Sequence, residues 1–335
     1  MREARPAPAD REAVERLDAP LSLRIRGTAG GESVEVEVDL LPVARVTSAE
    51  DDGPGSLRAV IRAALVVAER GGGDRPAIRF DPEAFSGADR TILVRSAIVV
   101  DGSLDLDGLL GPGGARVEIA AEETTRIFDL SHGAVRLAHL DLRGGDAGES
   151  DGGALYDNQS DGAAAIHVAE GLLTLTNTTI VENAGNTVVS CKSADLSFNT
   201  IAKNEGTFHW SGTLRAVGNL FAENTHPFGG DLSASLGSTF TSLGDNFFGA
   251  LPSNLEAHEN DLAGTVDEPL PPRLGTFGDH GGPTPTVLLL ENSPARDAVP
   301  ADRFTTVDGT PLTTDQRGVA RPQDGACDIG AAEGS

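Results

Sequence analysis

Four short stretches carry the reading of the fold: IVEN at Ile180 to Asn183, IAKN at Ile201 to Asn204, FAEN at Phe221 to Asn224 and LGDN at Leu243 to Asn246. Their asparagines follow one another at steps of 21, 20 and 22 residues. Apolar residues at alternate or nearly alternate positions precede the first three (Leu173 and Leu175, Leu196 and Phe198, Leu214 and Val217), and Phe240 precedes the fourth. A unit of this length, made of strands and turns, supplies one coil of a β-solenoid, in which neighbouring coils pair in parallel and stack like side chains roughly 4.8 Å apart. Asn183, Asn204, Asn224 and Asn246 are therefore read as one structural ladder. Asn tolerates the left-handed turn region better than other non-glycine residues, and stacked amides bond along such a ladder. Weaker coils precede these in ARVEIAAEETTRIFDL from Ala115 and VRLAHLDLRGG from Val135.

Working towards the N-terminus, the pattern changes twice. DDGPGSLRAVIRAALVVAERGGG, from Asp51 to Gly73, places Ser56 at a helix N-cap, with acidic residues just before it. Leu57, Val60, Ile61, Ala64 and Leu65 follow at helical spacing before three glycines end the run. Earlier, LSLRIRG from Leu21 and ESVEVEVDLL from Glu32 alternate, with Val34, Val36 and Val38 on one face and Ser33, Glu35 and Glu37 on the other. They read as two paired, half-buried strands. The chain thus divides into a polar leader (1–19), a small strand-rich extension (20–45) and a solenoid with its caps (46–335). A solenoid leaves an apolar cross-section at each end. The helix is expected to plug the first coil, and TVLLL (Thr286 to Leu290) with CDIGAAE (Cys327 to Glu333) the last.

Composition excludes several classes. The 335 residues carry 26 Lys plus Arg against 51 Asp plus Glu, a net charge of −25, so a phosphate backbone is repelled and no nucleic-acid partner is expected. With 12 Phe, one Trp and one Tyr, the core must be largely aliphatic. Cys191 and Cys327 are too far apart in sequence for a C-x-x-C pair, and several coils separate them, so neither a zinc site nor a disulfide is expected. No apolar run approaches the roughly 20 residues that span a bilayer. The opening MREARPAPADREAVERLDAP lacks the apolar region of a signal peptide.

Two further stretches carry a resemblance. VTSAEDDGPGSLRAVIRAA (Val46 to Ala64) followed by IRFDPEAF (Ile78 to Phe85) opens the solenoid. DHGGPTPTVLLLENSPARDAVP (Asp279 to Pro300) and TDQRGVARPQDGACDIGAAE (Thr314 to Glu333) close it. The combination resembles the bacterial right-handed parallel β-helix proteins with a choice-of-anchor Q type C-terminal region, and it brackets residues 46 to 333. The fold class expected is all-β, a right-handed parallel β-helix of about seven to nine coils with an N-terminal capping α-helix. The resemblance implies a secreted or cell-surface module engaged in passive adhesion or in binding an extracellular polysaccharide or surface protein.

The candidate chemistry lies on the coils and on one insertion. GGDAGESDGGALYDNQSDGAAAIHV, from Gly144 to Val168, collects Asp151, Asp157 and Asp161 with further carboxylates among glycines. A solvated acidic loop is the plain reading, and a calcium site, with these three as ligands, is the alternative. Lys192, His209 and Arg215 are the candidates for catalysis if the chain is a polysaccharide lyase or glycoside hydrolase working on a side face. Tyr156 and Trp210 are the candidate ligand-stacking residues, although one Trp is few for a long sugar groove. Asp315, Arg317, Arg321 and Asp328 are expected to pair and hold the closing segment.

Overall fold

A computed structural model of the chain describes residues 21–29, 32–40, 43–71, 75–86, 90–110, 117–121, 127–144, 163–226, 230–280, 285–323 and 325–334. Among the described residues the fold is all-β with one helix. Leu21–Ala29 and Glu32–Leu40 form an antiparallel pair. Two long sheets follow, and within them every pairing is parallel.

A twelve-stranded sheet runs in chain order through Val43–Val46, Ala77–Phe80, Leu104–Asp107, Ala134–Ala138, Ala163–Thr176, Ala184–Ser197, Glu205–Trp210 and Leu232–Ala234, with four further strands branching from this path. An eight-stranded sheet runs in the same order through Thr91–Val94, Val117–Ala121, Leu140–Arg143, Thr179–Val181, Thr200–Ala202, Leu220–Ala222, Phe247–Leu251 and Leu262–Thr265. Each strand pairs with its equivalent one coil later, a solenoid-like arrangement. Thr179 faces Thr200, Thr200 faces Leu220, and Leu220 faces Phe247.

Strand alternation sends one set of side chains between the sheets. Ile180, Ile201, Phe221 and Phe248 from one side meet Leu173, Leu196, Phe208 and Leu214 from the other, all fully buried in one continuous core. Trp210 belongs to this core, with its ring against Phe240 and its indole N–H donated to the Thr239 carbonyl at 3.1 Å.

Helix α1, Leu57–Gly71, packs its apolar stripe of Leu57, Val60, Ile61 and Ala64 into the first coil. Ser56 caps it, its hydroxyl accepting the Ala59 N–H at 3.3 Å. Arg58 fixes the entry. Its guanidinium reaches the Asp51 carboxylate at 2.6 Å and the carbonyls of Ser96 and Ala97, tying the capping turn to the turn between two strands.

The asparagines form two columns rather than one. In the first, the N–H of Asn183 donates to Asn204 Oδ1 at 3.1 Å and that of Asn204 to Asn224 Oδ1 at 3.3 Å; Asn224 then donates to Asp231 Oδ1 at 3.1 Å. The second runs from Thr178 through Asn199, Asn219 and Asn246 to Asp261, each oxygen accepting the N–H of the coil before. Asn246 is thus the third asparagine of the second column and not the fourth of the first, because it precedes Phe247 as Asn219 precedes Leu220, the register partner of Phe247. Nor do the ladder residues occupy the left-handed turn. That conformation falls on the residue before: Glu182 (φ 56°), Lys203 (58°) and Glu223 (57°). The Asn side chain reaches over this residue to the carbonyl two positions back, as Asn204 Nδ2 does to Ala202 at 3.0 Å. The amide therefore braces a kink that another residue makes. At the matching place in the second column Phe198 lies above Gly218, where an added Cβ would come within 2.4 Å of the Phe198 ring.

The closing segment departs from expectation. Instead of plugging the last coil, residues 285–334 lie along the outer face of the eight-stranded sheet. Asn177 Nδ2 donates to Thr314 O at 2.9 Å, Ala331 N to Thr200 Oγ1 at 2.9 Å and Gly330 N to Gly218 O at 2.9 Å. A second core results, with Phe198, Leu220 and Phe247 of the coils against Leu289, Val299, Phe304, Cys327 and Ile329. The segment thereby engages several coils at once. The far end carries Leu255, packed onto the main core just past the last long strand.

Candidate functional site

The two sheets present different outer faces. On the eight-stranded sheet Glu118, Asp141, Thr179, Thr200, Leu220 and Phe247 point outward and are all buried. The twelve-stranded sheet keeps its outer face partly open. One register row there reads Asp105, Arg136, Thr174, Asp195, Arg215 and Thr241 on successive coils. A second row reads Asp129, His167, Ser190, His209 and Ser233. Its members are half-buried, while their strand neighbours, such as Ile166 and Val168 or Phe208 and Trp210, are buried in the core.

Lys192, His209 and Arg215 stand on this open side but do not converge. The Lys192 ammonium pairs with the exposed Glu170 carboxylate. His209 is held by both ring nitrogens, Nδ1 to Ser233 Oγ at 2.9 Å and Nε2 to Ser235 Oγ at 3.1 Å. Arg215 forks onto Asp195, Nε to Oδ1 at 2.7 Å with Nη2 on Oδ2, and this hydrogen-bonded carboxylate raises the guanidinium above its ordinary range. Trp210 corrects the stacking expectation. Its side chain is 0% exposed, so no sugar ring reaches it. Tyr156, Asp151, Asp157 and Asp161 lie outside the described residues.

Among the described residues no group of three or more His, Cys, Asp or Glu is placed to hold a metal ion. Both cysteines are free and buried, and burial pushes the Cys191 thiol well up and the Cys327 thiol to about 12. No helix among the described residues is long and apolar enough to cross a membrane.

Charges on the covered side are structural. Burial, with Glu118 beside it, lifts the Asp141 carboxyl well above the ordinary carboxylate value. In the closing segment Arg317 Nε meets Asp315 Oδ2 at 3.0 Å. Arg321 Nε lies 2.9 Å from Glu333 Oε1, while its guanidinium spans the Phe198 and Phe304 rings at 5.3 and 4.9 Å. Asp328 accepts the Asp297 N–H at 2.7 Å. The pairing is thus Asp315 with Arg317 and Arg321 with Glu333, and Asp328 binds backbone. Burial raises the Glu333 carboxyl to about 7 even with Arg321 opposing it.

No family model matches the chain, and no curated protein does.

The row from Asp129 to Ser233 went unread in the sequence. His167 and His209 look scattered there, at no fixed helical or strand spacing. Only the coil register brings them to either side of Ser190.

Proposed function

We propose that the chain is a right-handed parallel β-helix with a choice-of-anchor Q type closing region, and that it is a secreted or cell-surface module binding an extracellular polysaccharide along the open face of its twelve-stranded sheet. The observation that carries this reading is the unequal treatment of the two outer faces. The closing segment buries one and meets the other at its edge, where the Val307 N–H donates to Ser197 Oγ at 3.0 Å, and that other face keeps rows of polar side chains in coil-by-coil register. Such rows offer hydroxyl, carboxylate and guanidinium groups at a regular spacing of roughly 4.8 Å, suited to a repeating, hydroxyl-rich chain. A lyase or glycoside hydrolase needs convergent groups, and Lys192 and Arg215 are each engaged by a separate carboxylate.

The test is titration of the full chain against a panel of neutral and acidic polysaccharides, with reducing ends and unsaturated products followed in parallel. Binding without new products, weakened at least tenfold by Thr174→Glu in the middle of the open face, is expected. Binding that ignores Thr174→Glu, or no binding across the panel, removes the reading. Release of products moves the chain to the enzyme class.

A further inference from the structure

We propose that Asp141 and Glu118, with the side-chain oxygens of Thr179, Thr286 and Gln316, hold a Ca²⁺ ion beneath the closing segment. The site lies on the covered face and does not rest on the open face binding a polymer. It is also separate from the acidic insertion that carries Asp151, Asp157 and Asp161.

Glu118, Asp141 and Thr179 occupy one register position on consecutive coils of the eight-stranded sheet. Val117, Ile119, Leu140, Leu142 and Ile180 beside them belong to the main core, so the three side chains leave on the outer face. The closing segment meets them there. Thr179 Oγ1 lies 3.1 Å from Thr286 Oγ1 and donates to Gln316 Oε1, and Thr286 Oγ1 donates to the same amide oxygen at 3.3 Å. Gln316 Nε2 donates to the Leu140 carbonyl at 3.5 Å, which seats this amide next to the Asp141 backbone. All five side chains are buried, Asp141 completely.

Neither Asp141 oxygen has a hydrogen-bond partner among the described residues. A carboxyl in that position is costly in both forms: charged, it lacks a counter-ion, and protonated, it lacks an acceptor for its hydrogen. Arg143, two residues along the strand, is engaged by Glu118 instead. Its Nε and Nη2 both take Glu118 Oε1, which leaves Oε2 for another partner. Carboxylates directly opposite each other on paired strands repel. Around Asp141 the charges of Glu118, Asp141 and Glu182 are opposed by Arg143 alone, a balance of −3 + 1 = −2 that a divalent cation cancels.

The spacing and the donor set point to the same ion. Strand partners roughly 4.8 Å apart bring two carboxylates within reach of one cation bound at roughly 2.3–2.6 Å. Only oxygens are offered, which selects a hard cation. Ca²⁺ accepts an irregular shell built from side chains, whereas Mg²⁺ keeps several waters that a buried site has no room for. Thr286 and Gln316 come from the closing segment and the other three residues from three coils, so the ion staples the cover to the stack.

The full chain is stripped with EDTA and back-titrated with Ca²⁺, with thermal unfolding, bound Ca²⁺ and limited proteolysis followed in parallel. The expected result is a rise in melting temperature of about 4 °C at about a hundred times Kd, with slower cutting of residues 285–334. Mg²⁺ does not substitute. Asp141→Asn, which keeps the shape and removes the charge, loses one bound equivalent and the thermal shift. Thr286→Val removes a single neutral oxygen and weakens Ca²⁺ about tenfold, and it decides the matter if Asp141→Asn fails to fold. Changing Asp157 and Asp161 together to Asn leaves the response intact. The proposal is overturned by a parent indifferent to Ca²⁺, by a response that persists in Asp141→Asn or is unchanged in Thr286→Val, or by one that Mg²⁺ reproduces. A response lost only in the insertion variant places the calcium in that loop and overturns it equally.

Discussion

The outer face of the eight-stranded sheet and that of the twelve-stranded sheet begin as equivalent surfaces, since each is built from every second residue of parallel strands. They end with opposite environments. Leu220 and Phe247 on the first are fully buried beneath the closing segment, whereas Arg215 and Thr241, their counterparts on the second, stay exposed. The lesson is that a stack of coils does not choose its own working side. The choice is made by the piece of chain that folds back over one face, and by the apolar residues that receive it.

The sharpest way to break the comparison is to place the same charge on both faces. Leu220→Lys puts an unpaired ammonium into the second core and is expected to cost more than about 4 kcal/mol, while Thr241→Lys stays within about 0.5 kcal/mol. Chemical denaturation of the two variants checks this, and equal losses would mean that the cover is not tightly seated. Next in size is Arg321→Ala. It leaves the Glu333 carboxylate buried without its partner and removes the cation from between Phe198 and Phe304, for an expected loss of about 3–5 kcal/mol. Limited proteolysis should then cut residues 285–334 before the coils; uniform digestion would contradict the closing segment's dependence on this pair.

Asn204→Ala strips the bracing amide from the middle of the first column and strands the Asn183 N–H, at a cost of about 2–3 kcal/mol. Both faces suffer together, because the column lies at a corner of the coil. A loss confined to the closing segment would argue otherwise. Stability is also expected to depend on pH. Glu333 and Asp231 titrate near 7 and near 6 in the folded chain because they are buried, above their ordinary 4.5 and 3.8. The folded state holds their protons longer, so their contribution is present on the acid side and is lost as pH rises through those values. Melting temperature should fall between pH 5 and 8, and Glu333→Gln should flatten the slope. A slope unchanged in that variant would place the titration elsewhere.

Much of this was legible in the residues themselves. The Ser56 cap, the stripe of α1 and the 20- and 21-residue steps from Asn183 to Asn224 depend on local pattern and came through. The second column did not, because Asn199 and Asn219 follow Phe198 and Gly218 with no shared motif, and the step to Asn246 is 27 residues. LGDN imitates the first column in spelling but pairs with the second. The closing segment was misplaced because TVLLL reads the same whether it caps an end or lies along a side. The clue was in the coils: LFA at Leu220–Ala222 and the Phe247, Phe248 pair are apolar on both faces, as strands covered on both sides must be. The row holding Ser190 was beyond reach, since residues 129, 167, 190 and 209 are spaced unevenly and meet only through the coil register.

Each asparagine column hands a hydrogen bond from one coil to the next, and each finishes on an aspartate. Asp231 takes Asn224 N–H on one oxygen and Ala250 N–H on the other; Asp261 does the same for Asn246 and His258. A carboxylate has nothing to hand on. A second molecule stacking onto that end would find acceptors already filled where the relay calls for an amide, so the chain that builds by repetition carries its own full stop against growing into a fibre.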